Sequence, residues 1–158
     1  TLGKYLIIIS IADFERIFLL DKKNRYVGAK IRTGSFTSTD IELQSVEMDG
    51  SLTQTPEFPY NWMYDGSRPQ MPGFEMEITC KSLFLIFKDS GEMDVGNANV
   101  FVNDVYCMTA DPHKNNWLHC NAVLLFWETE SRSHKVRIAV TEEDRNKKFT
   151  ILGFGYTI

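Results

Sequence analysis

The sequence predicts an all-β chain, an antiparallel β-sandwich or jelly roll. Three observations carry this. Short apolar or alternating runs recur along the 158 residues with turn residues between them. Aromatic residues make up 13% of the chain, including 11 Phe, as a sheet core favours. Only Asp13 to Leu20 offers a helical turn that competes with a strand.

The elements follow in order. Leu6 to Ile11 is β-branched and apolar and reads as a buried strand. The run Tyr5 to Ala12 is far short of the roughly 20 residues that cross a bilayer, and charges follow it at once. Arg16 to Leu20 is a second apolar run, closed by an Asp21–Asn24 turn, and Tyr26 to Arg32 alternates in part. Asp40 to Glu47 alternates polar and apolar, and Asp49-Gly50 supplies a hairpin turn. Pro56 to Pro72 holds four prolines and reads as a long ordered loop or sheet edge.

The clearest strands come next. Phe74 to Ile78 alternates, and Ser82 to Phe87 is apolar on both faces, as a central strand can be. Asn99–Asn103 and Val105–Met108 flank a tight Asn103-Asp104 hairpin. Ala122 to Trp127 and Lys135 to Val140 form a strand–turn–strand pair around a charged, serine-containing turn. Thr141 to Lys148 reads as a solvated turn. Phe149 to Tyr156 closes the sheet, with Gly153 and Gly155 allowing a bend or close approach. About ten short strands with regular turns suit one sandwich domain over residues 1–158. The small polar stretch Gly34–Thr39 marks the one candidate boundary. Residues 1–40 would then be an added hairpin or the remnant of a neighbouring domain.

Composition narrows function. A net charge of −4 argues against a phosphate-backbone binder, so no nucleic-acid partner is expected, nor a membrane. Cys80, Cys107 and Cys120 lack zinc-ligand spacing and read as small buried side chains, with one disulfide left open. No Gly-x-Ser-x-Gly elbow occurs. Asp89-Ser90-Gly91 only echoes a GDSL block, and Asp111-Pro112-His113 lacks the spacing such hydrolases use, so no catalytic triad is expected. Glu75 and Glu77 share one strand face and read as solvated. Asp94, Asn97 and Asn99 are weak candidates for a structural calcium, which turn chemistry explains equally well; no other cofactor is expected.

The best candidate ligand groups pair aromatic rings with amides and charges. A sugar stacks its apolar face on Trp or Tyr and hydrogen-bonds planar polar groups with its hydroxyls. Trp62, Tyr64, Asp65 and Arg68 form one such set, and Asn115, Asn116, Trp117 and His119 another. The competing reading places Trp62 and Trp117 in the core.

Several stretches together carry a resemblance. They are Phe58–Gly66, Phe74–Ser90, Gly96–Asp104, Asn115–His119, Ser133–Ile138 and Lys148–Tyr156. Their order resembles the non-catalytic, carbohydrate-binding-like jelly-roll modules of bacterial GDSL/SGNH-type esterases, over roughly residues 42 to 158. This chain departs from that pattern at Asn103-Asp104, where Asp-Gly is usual. The resemblance implies a sandwich beside a hydrolase domain, binding glycan or shaping the cleft, with the catalytic Ser, Asp and His elsewhere. Its partners would be a carbohydrate or the adjoining hydrolase domain. Two alternatives stand beside it: an interaction sandwich without small ligand, including a homo-oligomer, and a self-contained hydrolase with an unfamiliar site. Exposed apolar residues within the first twenty positions would favour a docking role. The sequence is compatible with a secreted or cell-surface setting and specifies none.

Overall fold

The computed structural model describes residues 16–41, 47–48, 51–52, 58–114 and 120–158. The expected strand at Leu6–Ile11, the Asp49-Gly50 turn and the set Asn115, Asn116, Trp117 and His119 lie outside them. All ten strands are antiparallel to their neighbours: β1 (Phe18–Leu20), β2 (Ala29–Arg32), β3 (Glu47–Met48), β4 (Ser51–Leu52), β5 (Trp62–Tyr64), β6 (Phe74–Lys88), β7 (Ala98–Val102), β8 (Val105–Ala110), β9 (Cys120–Val140) and β10 (Phe149–Thr157). Eight of them form one sheet of order β1-β10-β6-β9-β7-β8, with β2 on β6 and β5 on β10. The pair β3–β4 stands apart, with Met48 in register with Ser51.

Two long strands make the architecture. The segments Phe74–Ile78 and Ser82–Phe87 are one strand, β6, and so are Ala122–Trp127 and Lys135–Val140, within β9. The charged stretch between the latter pair is therefore not a turn. Between the pairs Cys80↔Arg132 and Ser82↔Trp127, β6 advances two residues and β9 five, so the polar residues form a large bulge. Bulges bend strands and raise their twist. The first half of β6 pairs with β2 and the end of β9, and its second half with β10 and the start of β9. The sheet thus folds over its two longest strands into two layers. Phe74 of one layer stacks on Phe154 of the other at 5.6 Å.

Burial follows this bend. In β6, Phe74, Met76, Ile78 and Cys80 are buried, and beyond the bulge the alternation resumes on Leu83, Leu85 and Phe87. All nine residues of β10 are buried. Phe36, from the stretch expected to mark a boundary, is fully buried against Tyr64, Phe74 and Phe149. Among the described residues, those before 41 therefore share the same core.

Local chemistry explains the connections. Asp21 Oδ1 accepts the backbone N–H groups of Lys23 and Asn24, which closes the turn after β1. Asn103 and Asp104 have φ of +51° and +64°, the conformation of a two-residue hairpin of the primed type. Asn103 further ties its turn to β9, accepting Lys135 N–H and contacting His134 Nδ1 at 2.9 Å. Glu128 closes the β9 bulge, with Oε1 2.8 Å from His134 Nε2 and Oε2 3.4 Å from Arg132 Nε. The Thr141–Lys148 segment contains a 3-10 turn, Glu142–Asp144, whose Asp144 accepts Asn97 N–H at 2.8 Å.

Candidate functional site

Strand alternation decides the fate of the first aromatic set. In β5, Trp62 and Tyr64 point to the same face, and that face is the core. Trp62 is 3% exposed and packs on Phe74 at 5.2 Å and Phe154 at 6.2 Å. Tyr64 is also buried; its hydroxyl donates to the Arg145 carbonyl, and burial raises its pKa. Asp65 leaves the strand. Its Oδ2 accepts from Ser38 Oγ and its Oδ1 from Ser67 N–H. These bonds hold its pKa at about 2. Arg68 is exposed on the following loop, where its carbonyl accepts Met71 N–H. So the four residues are adjacent in sequence but face apart: two rings inward, Asp65 toward Ser38, Arg68 to solvent.

Two cavities flank β5. The first has a volume of 450 Å³ and lies over the β1–β2 connection, where the edge of Trp62 reaches it beside Leu20, Ile31 and Tyr26. Tyr26 stacks on Tyr156 at 4.5 Å and donates its hydroxyl to the Thr79 carbonyl. Lys22 and Arg25 also line this cavity. Lys22 Nζ donates to Thr39 Oγ1 at 2.8 Å, and burial lowers its pKa.

The second cavity, 310 Å³, lies on the other side of β5 and includes Ser38, Met63, Lys88 and Thr150. Buried Asp40 anchors it. Its carboxylate accepts from Lys88 Nζ at 3.0 Å and from Thr150 Oγ1 at 2.8 Å. Its backbone exchanges two hydrogen bonds with the fully buried Asn61 side chain. Sequence reasoning missed this polar knot. Asp40 opened a stretch read only as alternating polar and apolar, whereas it lies in a loop and is buried. Asp65 adjoins this cavity through Ser38. Cys120, the first described residue after 115–119, pairs with Lys88 in its wall.

The other candidates are placed as follows. Asp94 pairs with Lys148 at 3.4 Å, Asn97 N–H donates to Asp144, and Asn99 Oδ1 accepts from Thr109. Asp94 and Asn99 thus contact protein partners through side-chain oxygens, and Asn97 through its backbone. Among the described residues, no three His, Cys, Asp or Glu side chains converge as a metal set. Glu75 and Glu77 lie on the outer face, in register with Arg32 and Arg137 and with Lys30 and Lys135 respectively, a cross-strand charge ladder. His113 contacts Asp111 at 3.2 Å and the Glu92 carbonyl, both on the surface. None of the three cysteines is in a disulfide. Cys80 is buried as expected, with its pKa pushed up to about 12 by burial and by Glu128, but Cys107 is exposed because it sits on the edge strand β8.

A further surface feature emerges at β1. Ile17, Phe18 and Leu19 are 45%, 46% and 37% exposed. The register places Leu19 opposite Gly155, and Gly155 opposite Phe84, which pairs with Leu124. A Cβ on Gly155 would lie 3.1 Å from Ile17 Cγ2, and one on Gly153 3.1 Å from Leu19 Cδ1. The two glycines thus flatten the outer face of β10 and seat an apolar edge strand on it. Phe84, Ile86 and Leu124, all half-buried, continue that face.

No family model and no curated protein matches the sequence. Solved structures match in fold. Two structures of a two-domain esterase active on acetylated mannans, one co-crystallized with mannopentaose, match with TM-scores of 0.58 and 0.57 at 13% and 12% identity. The matches cover 91% and 90% of this chain and 37% of theirs. An acetyl xylan esterase from the rumen bacterium Butyrivibrio proteoclasticus matches with a TM-score of 0.52 and 12% identity, over 89% of this chain and 32% of that one. The chain therefore spans about a third of the length of these solved chains. At such identities the likeness establishes a shared β-sandwich fold.

Proposed function

We infer that this chain is the accessory β-sandwich of a carbohydrate-active, SGNH-type esterase, and that it docks on the catalytic domain through the apolar outer face around β1 and β10. The exposure of Ile17 and Leu19 over Gly155 and Gly153 carries this reading, while Phe18 turns to the other side of β1, against Tyr156. A contiguous apolar patch on a sheet's outer face is the mark of an interaction surface. The occupant is suggested by the fold likeness, which takes in nearly all of this chain and 37% of a two-domain esterase. That share suits one domain seated beside another. A hydrolase acting on acetylated polysaccharide would supply the Ser, Asp and His expected outside this sequence.

The gene and its product test this. A GDSL-bearing hydrolase domain in the same reading frame is expected. Ile17→Lys with Leu19→Lys should lower the thermal stability and deacetylating activity of the whole protein while leaving this domain folded. A reading frame with no hydrolase domain, or a whole protein indifferent to both charges, would contradict the reading.

A second reading keeps glycan contact near Asp65 and Arg68, with Asn115, Asn116, Trp117 and His119 as further contacts. The observation that favours it is the 310 Å³ cavity, since Asp65 adjoins it through Ser38 and Lys88 pairs there with Cys120. In it the edge of Trp62 and the buried ring of Tyr64 act as supports. A glycan screen with Trp117→Ala and Arg68→Ala separates the two readings. Saturable binding lost in either variant supports the second, and silence across a broad panel removes it.

A further inference from the structure

The cavity over the β1–β2 connection has a charge pattern that neither reading uses. The chain carries a net charge of −4, yet Lys22, Lys23 and Arg25 fall within four residues here. Lys23 turns away, over the Tyr60 ring at 5.1 Å. Lys22 and Arg25 line the cavity. Lys22 Nζ gives hydrogen bonds to neutral oxygens, Thr39 Oγ1 and the Ser38 carbonyl, of residues that line the second cavity, and an ammonium has a third proton to give. Among the described residues no carboxylate lies within ion-pair distance of Lys22 or Arg25. Asp21 is the one carboxylate in the lining, and its turn consumes it. Oδ1 accepts from Lys23 N, Asn24 N and Asn24 Nδ2, and Oδ2 accepts from Asn24 Nδ2.

Much of the rest of the cavity is of the opposite kind. Leu20 and Trp62, both nearly fully buried, line it together with Ile31 and the ring of Tyr26, which is stacked on Tyr156. Its 450 Å³ falls within the roughly 300–1,000 Å³ typical of small-molecule sites. Among the lining side chains, Asp21 is engaged by its own turn and the Tyr26 hydroxyl by the Thr79 carbonyl, so the Thr33 hydroxyl is the main neutral group left to meet a sugar. An anion with a flat apolar body would satisfy both parts, its ring on the apolar lining and its charge between Lys22 and Arg25.

We propose that this cavity is a binding site for an aryl carboxylate, a planar aromatic ring bearing one carboxylate group. The proposal does not depend on the docking reading; it concerns the opposite side of the β1 strand from Ile17 and Leu19, and either can fail alone.

The test titrates the chain with 4-hydroxycinnamate by calorimetry and amide-shift mapping, beside 4-hydroxycinnamyl alcohol and glucuronate. Saturable binding of the carboxylate is expected, with shifts concentrated in residues 20–33. Losing a charge-assisted contact should weaken binding by about tenfold or more, as should removing the carboxylate in the alcohol. Lys22→Gln and Arg25→Gln should each show that loss, and added salt should weaken binding. Arg25 is exposed, so its variant carries the test even if Lys22→Gln disturbs the fold. Equal binding of the alcohol would overturn the role of charge. Equal or tighter binding of glucuronate would overturn the aryl class. No saturable binding, or shifts elsewhere, would overturn the site.

Discussion

Adding one methyl group at Gly153 should destabilise the sandwich, and adding one at Gly155 should not. A Cβ at Gly153 would stand 2.9 Å from the Leu20 carbonyl oxygen, a backbone atom of β1 that cannot swing aside. At Gly155 the nearest atom is Ile17 Cγ2 at 3.1 Å, a side-chain methyl of an exposed residue on an edge strand, and the next is Phe84 Cβ at 3.6 Å, an ordinary contact. Overpacking a tight contact costs about 1–3 kcal/mol, and replacing a strand glycine by alanine returns about 0.5–1 kcal/mol. Gly153→Ala should therefore lose roughly 0.5–2 kcal/mol net, and Gly155→Ala should stay within about 0.5 kcal/mol of the parent. Urea unfolding at unchanged m-value measures both. Hydrogen exchange should show faster exchange at Phe18–Leu20 in Gly153→Ala, because β1 must shift to make room. A Gly153→Ala protein as stable as the parent, or equal losses at the two glycines, would refute the packing argument.

Other outcomes follow from the same geometry. Trp62→Ala should cost about 3–5 kcal/mol in urea unfolding, as for any large core ring; a loss under about 1 kcal/mol would place the ring at the surface. Asp65 has its folded pKa lowered from 3.8 to about 2 by Ser38 and Ser67, so its contribution to stability is complete above the unfolded value and fades as pH falls from about 4 to about 2. Ser38→Ala should raise that pKa in a carboxyl NMR titration; an unchanged value would deny the Ser38 bond. The Cys80 thiol, buried and pushed up to about 12, should resist maleimide until the protein unfolds, while exposed Cys107 reacts in the native state. Native labelling at Cys80 would contradict its burial.

Much of the fold was legible because strands advertise themselves by a period of two. Phe74–Ile78 was readable this way, the closing Phe149–Tyr156 run by its apolar and aromatic content, and the Asn103-Asp104 turn by residue types that tolerate positive φ. The β9 bulge was not. Glu128 to Ser133 has turn-like composition, and only the pairing of Arg132 with Cys80 shows that the chain continues as strand. The inward loop at Asp40 escaped for a related reason. A buried carboxylate is recognisable from its partners, here Lys88 and Thr150, which lie 48 and 110 residues away. The aromatic set on β5 was visible, but sequence could not tell a ring in a core from one on a binding face. Alternation with Met63 sends both Trp62 and Tyr64 inward. The sequence reading asked whether apolar residues in the first twenty positions are exposed, and Ile17, Phe18 and Leu19 are.

Hydrogen exchange on the protein produced from the whole reading frame, compared with this domain alone, tests the docking account most directly. The account predicts added protection in the whole protein at residues 17–19, 84–86, 122–124 and 153–155, and little change at the charge ladder of Glu75 and Glu77. Identical exchange in the two proteins, or protection confined to the ladder, would contradict it.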